Sequence, residues 1–309
     1  MSDQWKRQCQ LVIGKDGEGI KIEGLRIKFE IVKTIEATPN RAVISVYNMN
    51  HSSESKIHNE YDEVVLNAGY ADNHQMIFRG NIQYVFQHRD RADTIIEIEA
   101  ADGDKDYRQA VMNETLAAGT SHSQIVDRAV ASFQAGTIKG HVQAGEKKRI
   151  RGKVLSGSTR DILNDLSRES GANWSIQNGQ LDFVSTEDVL PGEAVVIRAD
   201  TGMLEAPEAN DKGIVVKTLL NPSIRINGAI KLDNKDIRAK RQEQNDLATR
   251  REKSETNAPL GRENEQVVGL DPDGIYKVIK LTHEGDTRSN EWYTRIECIG
   301  LNQPIPESR

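Results

Sequence analysis

Polar and apolar residues alternate with period two through much of the first hundred positions, the spacing that sends successive side chains to opposite faces of a strand. Leu25, Ile27, Phe29 and Ile31 face one way, and Arg26, Lys28 and Glu30 face the other. Met76, Phe78, Ile82, Tyr84 and Phe86 form a second apolar set against Arg79, Asn81, Gln83 and Gln87, while Ile96 and Ile98 oppose Glu97 and Glu99. With shorter candidates at 9–13, 41–48 and 62–70, the pattern predicts about six antiparallel strands spaced as in a barrel or a sandwich. One short helix, at about 51–59, interrupts them.

Between Asp102 and about Glu187 the period changes to that of helices. Ser121 with Gln124 forms a capping box, a reciprocal pair that satisfies unpaired amides at a helix start, and leads into Ile125, Ala129, Val130 and Phe133 on one face. Ser158 with Asp161 resembles a second box ahead of Ile162, Leu163 and Leu166, and Gly171 is placed to close that helix in the left-handed conformation. Trp174 and Ile176, then Asn178-Gly179, then Leu181 and Phe183 read as a hairpin with a tight turn. This segment is a small α+β insert.

Strands return at 193–199, 213–219, 224–232, 274–284 and 290–300. In the last of them Trp292, Thr294, Ile296 and Cys298 share one face and Glu291, Tyr293, Arg295 and Glu297 the other, so Cys298 belongs to a core. Between the third and fourth strands lies Lys235 to Gln266, rich in Lys, Arg, Glu, Gln and Asn and too polar to bury much surface unaided. It is expected to be a long solvated loop or an arm.

The length of 309 residues fits about two domains of ordinary size. The hydrophobic share is 37%, and the 24 glycines bring the apolar total close to that of globular proteins, so the chain should fold. A net charge of -6, from 41 basic and 47 acidic residues intermixed, leaves no basic block to neutralise a row of phosphates and argues against tight nucleic-acid binding. The start, Met1-Ser-Asp-Gln-Trp-Lys-Arg, lacks the apolar stretch of a secretory signal, and no apolar run approaches the length of a membrane helix. Cys9 and Cys298 are too few for a disulfide scaffold and fit two small core residues made in a reducing cytoplasm.

Candidate chemistry is sparse. Gly14-Lys-Asp-Gly17-Glu-Gly19 lacks the strand-turn-helix context of a phosphate cradle and reads as a hairpin turn. His88-Arg89-Asp90 copies part of a kinase loop without its companion motifs and reads as a strand end. The 7 histidines carry no metal-ligand spacing. Carboxylates are abundant, so a hydrolase pair stays open as an alternative, but nothing singles one out. No catalytic, cofactor-binding or metal-binding residue is assigned. Asn221-Pro222 makes a turn, and His283, Glu284, Gly285 and Asp286, followed by Asn290 and Trp292, make a hairpin with an aromatic anchor on its return strand.

Two stretches resemble a known family. Gly213-Ile-Val-Val-Lys-Thr-Leu-Leu-Asn-Pro-Ser-Ile-Arg-Ile-Asn-Gly is similar to a strand pair, and Asp273 to Trp292 is similar to a closing hairpin, of the baseplate hub proteins of contractile-tailed phages, also described as late control or phage protein D relatives. The clear likeness covers the last third of the chain. It implies a mainly β (α+β) fold with two tube-like antiparallel β-barrel domains, at 1–101 and 191–309, flanking the α+β insert at 102–190. Val32-Lys-Thr-Ile35 and Val216-Lys-Thr-Leu219 look like an echo between the two ends.

The function the resemblance implies is structural and non-enzymatic. A homotrimeric ring would adapt the sixfold tail tube to the threefold central spike and form part of the DNA passage during genome ejection. Implied partners are a tail tube or tube-adaptor protein, the spike, the tape measure protein and other baseplate subunits. The place implied is the virion tail baseplate, after synthesis in the host cytoplasm, with no cofactor and no membrane insertion. The alternatives are a tail lysozyme borne on the hub and a host-surface carbohydrate-binding module using exposed aromatics such as Trp174.

Overall fold

A computed structural model describes residues 6–15, 17–71, 73–144, 148–210, 213–233, 238–239 and 274–301. The fold is mainly β, as expected. The first unit comprises β1 (Arg7–Lys15), β2 (Glu18–Ile22), β3 (Ile27–Thr34), β4 (Arg41–Tyr47), α1 (His51–Asn59), β5 (Glu63–Tyr70), β6 (Asn73–Asp90) and β7 (Asp93–Ala101). The insert follows as α2 (Asp104–Gln109), β8 (Val111–Leu116), α3 (His122–Ala131), β9 (Ile138–Val142), β10 (Lys153–Ser158), α4 (Thr159–Ser170), β11 (Ala172–Gln177) and β12 (Gln180–Ser185). The last part holds β13 (Val195–Val196), a 3-10 turn at Ala199–Thr201, β14 (Glu208–Asn210), β15 (Gly213–Leu219), β16 (Ala229–Lys231), β17 (Arg238–Ala239), β18 (Ile275–Asp286) and β19 (Trp292–Gly300).

One 14-stranded sheet runs through both ends of the chain in the order β17-β14-β15-β19-β18-β3-β4-β7-β6-β5-β1-β2, with β13 and β16 attached off this path. The junction between the two ends is β18 against β3, antiparallel from Lys280↔Thr34 to Asp286↔Lys28. Burial separates three cores. Leu11 and Ile13 of β1, Ile22 of β2, Phe29 and Ile31 of β3 and Val64 and Leu66 of β5 belong to one cluster, so the strands of the first unit curl round a common core. Leu220 and Trp292 join that cluster from the far end of the sequence. A second cluster gathers Ile214, Val216, Ile230, Tyr276, Val278, Ile296 and Cys298, and a third lies inside the insert around Leu163, Leu166, Trp174 and Phe183.

Several expectations need correction. The strand expected at 193–199 is reduced to Val195–Val196, and that at 224–232 to Ala229–Lys231. Turns take the place of the missing strand: Ile224 N donates to Asn221 O, Gly228 N to Arg225 O, and Asn227 has φ 60°, so Ile224 and Ile226 reach the core from successive bends. The apolar set through β6 is also broken. A register shift between Leu66 and Asn67 leaves Ile77 as an extra residue, and both Ile77 and Phe78 are buried. A second shift between Ile82 and Tyr84 flips the parity, so Tyr84 and Phe86 are 61% and 49% exposed instead of packed with Phe78.

The capping box of Ser121 and Gln124 forms on α3. That of Ser158 does not, because its side chain makes no capping bond at the start of α4, while Gly171 closes that helix at φ 67°. Of the charged run 235–266, only Arg238–Ala239 lies among the described residues, as a strand parallel to β14; the expected arm or loop otherwise lies outside them.

Candidate functional site

Alternation along the paired strands gives the continuous sheet one apolar face and one polar face, and the registers specify its members. From β6 to β15 the polar face carries Tyr84 and Phe86, then Glu97 and Glu99, Val43 and Ser45, Lys28 and Glu30, Glu284 and Thr282, Tyr293 and Arg295, and Lys217. Charges of both signs are interleaved and tied in pairs: Arg41 to Glu99 at 2.7 Å, Lys280 to Glu297 at 2.8 Å and Lys217 to Glu205 at 2.9 Å. The Tyr293 hydroxyl donates to Glu284, and this bond pushes the phenol up to about 12. A surface so balanced presents neither a cationic track nor a strong anionic field.

A buried polar seam fastens the insert to this sheet. Asp102, just past β7, accepts from Asn178 N at 2.5 Å and Gly179 N at 2.9 Å, clamping the β11–β12 turn, in which Asn178 and Gly179 have φ 55° and 77°. Lys33 Nζ donates to Asn178 Oδ1 at 2.5 Å, and Asn40 Nδ2 donates to Ile176 O at 2.8 Å while Asn40 Oδ1 accepts from Thr34 N. Burial pushes Asp102 up to about 6 and Lys33 down to about 8, each moderated by the other's charge. His283 Nδ1 lies 2.9 Å from Thr294 Oγ1, and burial, with Lys33 nearby, pushes the imidazole down to about 3. A cleft of about 340 Å³ opens beside the seam, with Lys33, His141, Asp182, Arg225 and His283 in its wall.

Sequence reasoning missed the seam. The one signal was Lys33 at an apolar-parity position of β3, and its partners come from residues 102 and 178, which only the fold brings together.

Other candidates resolve as structure. Trp174 is 2% exposed, stacks on Tyr107 and donates to Asn164 Oδ1 at 2.8 Å, so it is a core residue and offers no platform for a sugar. Gly14 and Gly19 face each other in the β1–β2 hairpin, where a Cβ on Gly14 would lie 2.2 Å from Glu18 O. His88-Arg89-Asp90 ends β6, and Asn221 Oδ1 accepts from Ser223 N in the Asn-Pro turn. The closing hairpin is locked by Asp286, which accepts from Arg26 at 2.7 Å and from Arg288 N. Among the described residues no group of three or more His, Cys, Asp or Glu could hold a metal ion, and no helix is long and apolar enough to cross a membrane.

Residues 10–235 match the family model described as baseplate hub gp41. A tail protein of 43 kDa from prophage MuSo2 of Shewanella oneidensis has a similar structure, with a TM-score of 0.57 at 10% identity over 94% of this chain and 98% of that one. A tail protein from Neisseria meningitidis MC58 gives 0.57 at 8% identity over 96% and 97%. The E. coli c3393 protein, a component of the type VI secretion system described as similar to the T4 phage tail proteins gp27 and gp5, gives 0.55 at 10% identity over 96% and 79%. No curated protein sequence matches. At these identities the solved structures speak for the fold.

Proposed function

The chain belongs to the baseplate hub gp41 family, and from that premise we propose that it forms a trimeric ring that joins a sixfold tail tube to a threefold spike and surrounds the path of the DNA. The carrying observation is the β18–β3 junction, which fuses two β units of one chain into a single sheet with a single polar face. Three such chains present six similar units, which is how a trimer meets a sixfold partner without changing its own symmetry. In this reading residues 1–101 and 191–309 are the tube units, residues 102–190 decorate them, and the balanced polar face lines the passage without gripping a polyanion.

The work is adhesion, alignment and passage, with no catalytic step. The site is the tail baseplate of the virion, and the partners are the tube or its adaptor above, the spike below, and the tape measure protein and neighbouring baseplate subunits around the passage. Light scattering of the purified protein tests the ring: a mass of three chains is expected, and a monomer at every concentration overturns it. Cell-wall hydrolysis abolished by a single carboxylate substitution would overturn the non-enzymatic reading.

A further inference from the structure

The cleft beside the seam is walled by three separate parts of the chain. Lys33 comes from β3 of the first unit, His141 and Asp182 come from β9 and β12 of the insert, and Arg225 and His283 come from the turn after β15 and from β18. Its volume of about 340 Å³ lies at the lower end of the range of small-molecule pockets. A second hollow, of about 310 Å³, shares Gln75, Leu190, Pro191, Ile224 and Arg225 with it, so the two have a common wall that includes the guanidinium.

The wall carries positive charge that the chain itself leaves without an anion. Lys33 is 5% exposed, and its ammonium, a donor of three hydrogen bonds, has one acceptor among the described residues, Asn178 Oδ1. Arg225 is exposed, and among the described residues its guanidinium makes no hydrogen bond and no ion pair. Burial pushes Lys33 down, Asp102 opposes this and the Arg225 charge adds to it, so the two cations lie within reach of each other's field. His141 Nε2 is buried with no partner among the described residues. One carboxylate, Asp182, stands in the same wall. Its Oδ1 accepts from His141 N at 2.7 Å, and burial pushes its carboxyl up, which lessens the negative charge it sets against an anion. Asp102, behind the seam, is occupied by the amides of Asn178 and Gly179. A buried ammonium short of acceptors costs free energy, and an oxyanion that accepts from both cations removes that cost.

From this convergence we propose that the cleft binds a small oxyanion, a phosphate or a carboxylate, whose oxygens accept from Lys33 and Arg225. Arg225 supplies the planar fork that matches two oxygens of one group, and Lys33 supplies a point charge from the floor of the cleft. The bound anion touches the first unit, the insert and the second unit at once. It therefore braces the insert against the sheet, next to the Asp102 clamp, and stabilises the fold in proportion to its concentration. The proposal stands independently of the ring.

Calorimetric titration of the full chain with inorganic phosphate, and separately with citrate, tests this, with glycerol as the neutral control. Saturable binding of phosphate alone identifies a phosphate ligand, binding of citrate alone identifies a carboxylate, and glycerol is expected to give none. Arg225→Gln removes no contact of the fold, so it should keep the melting temperature and weaken anion binding about tenfold or more. Asp182→Asn removes the one opposing charge and keeps an oxygen for His141 N, so it should tighten binding. No saturable binding of either anion up to about 10 mM overturns the proposal. Binding that Arg225→Gln leaves unchanged, or that glycerol matches, overturns it as well.

Discussion

At the scale of single residues, the seam residues and His283 make measurable demands on stability. Because the folded state holds His283 neutral down to about pH 3 while the unfolded chain takes up a proton near the ordinary imidazole value of 6.5, this group's contribution is present at neutral pH and is lost as pH falls through that window. Asp102 works the other way. Its folded value of about 6 stands above the ordinary aspartate value of 3.8, so its contribution is present at low pH and lost as pH rises between them. The net profile mixes the two, and the difference between native protein and His283→Asn isolates the first: the variant should lose about 2 kcal/mol less stability than the native protein between pH 7 and pH 5, read from denaturant midpoints. Asp102→Ala leaves Lys33 without its counter-charge and two turn amides without an acceptor, so it should cost about 3–5 kcal/mol at pH 7 in the same measurement.

At the scale of elements, the two serines placed at helix starts separate local signal from outcome. Ser121 completes its box with Gln124, and Ser121→Ala should cost about 1 kcal/mol. The Ser158 hydroxyl is buried without a partner among the described residues, so Ser158→Ala removes an unsatisfied group and should leave thermal stability unchanged or raise it. The third helical residue differs, Gln124 in the first case and the shorter Asp161 in the second, and the reciprocal box is built with Glu or Gln there. On β18, Gly285 faces Phe29 and Trp292, whose rings meet edge to face at 5.5 Å and 73°. A Cβ there would lie 2.4 Å from the Phe29 ring, so Gly285→Ala should cost about 1–3 kcal/mol and shift tryptophan emission as the junction between the units loosens.

At the scale of the whole molecule, the sheet's polar face interleaves Lys28, Glu30, Glu97, Glu99, Arg295 and Glu297, and the formal net charge is -6. Neutralising a run of phosphates needs a cationic surface, so the purified protein should not retard duplex DNA in a gel at about 50 mM salt. Retardation that disappears with added salt would contradict the balanced face.

What the amino-acid order determined by itself is local. The period-two alternation of β3, β4 and β7, the helix at His51–Asn59, the Ser121 box, the Asn178-Gly179 turn and the core place of Cys298 all follow from preferences acting over a few residues, and all are found in the fold. The insert strands β8, β9 and β10 and the hairpin partner β2 gave no comparable signal, being short and only partly buried. Tertiary structure decided the rest. A single skipped residue in β6 reversed the faces of Tyr84 and Phe86, because a strand's period of two turns any insertion into an inversion. Trp174 lies in a core instead of meeting solvent because the fold packs its ring with Leu163, Leu166 and Phe183, and Asn164 on α4 accepts its N–H there. Lys33, Asp102 and Asn178 became one seam, and β18 met β3, through contacts between residues some 70 to 250 positions apart, where neither periodicity nor propensity carries information.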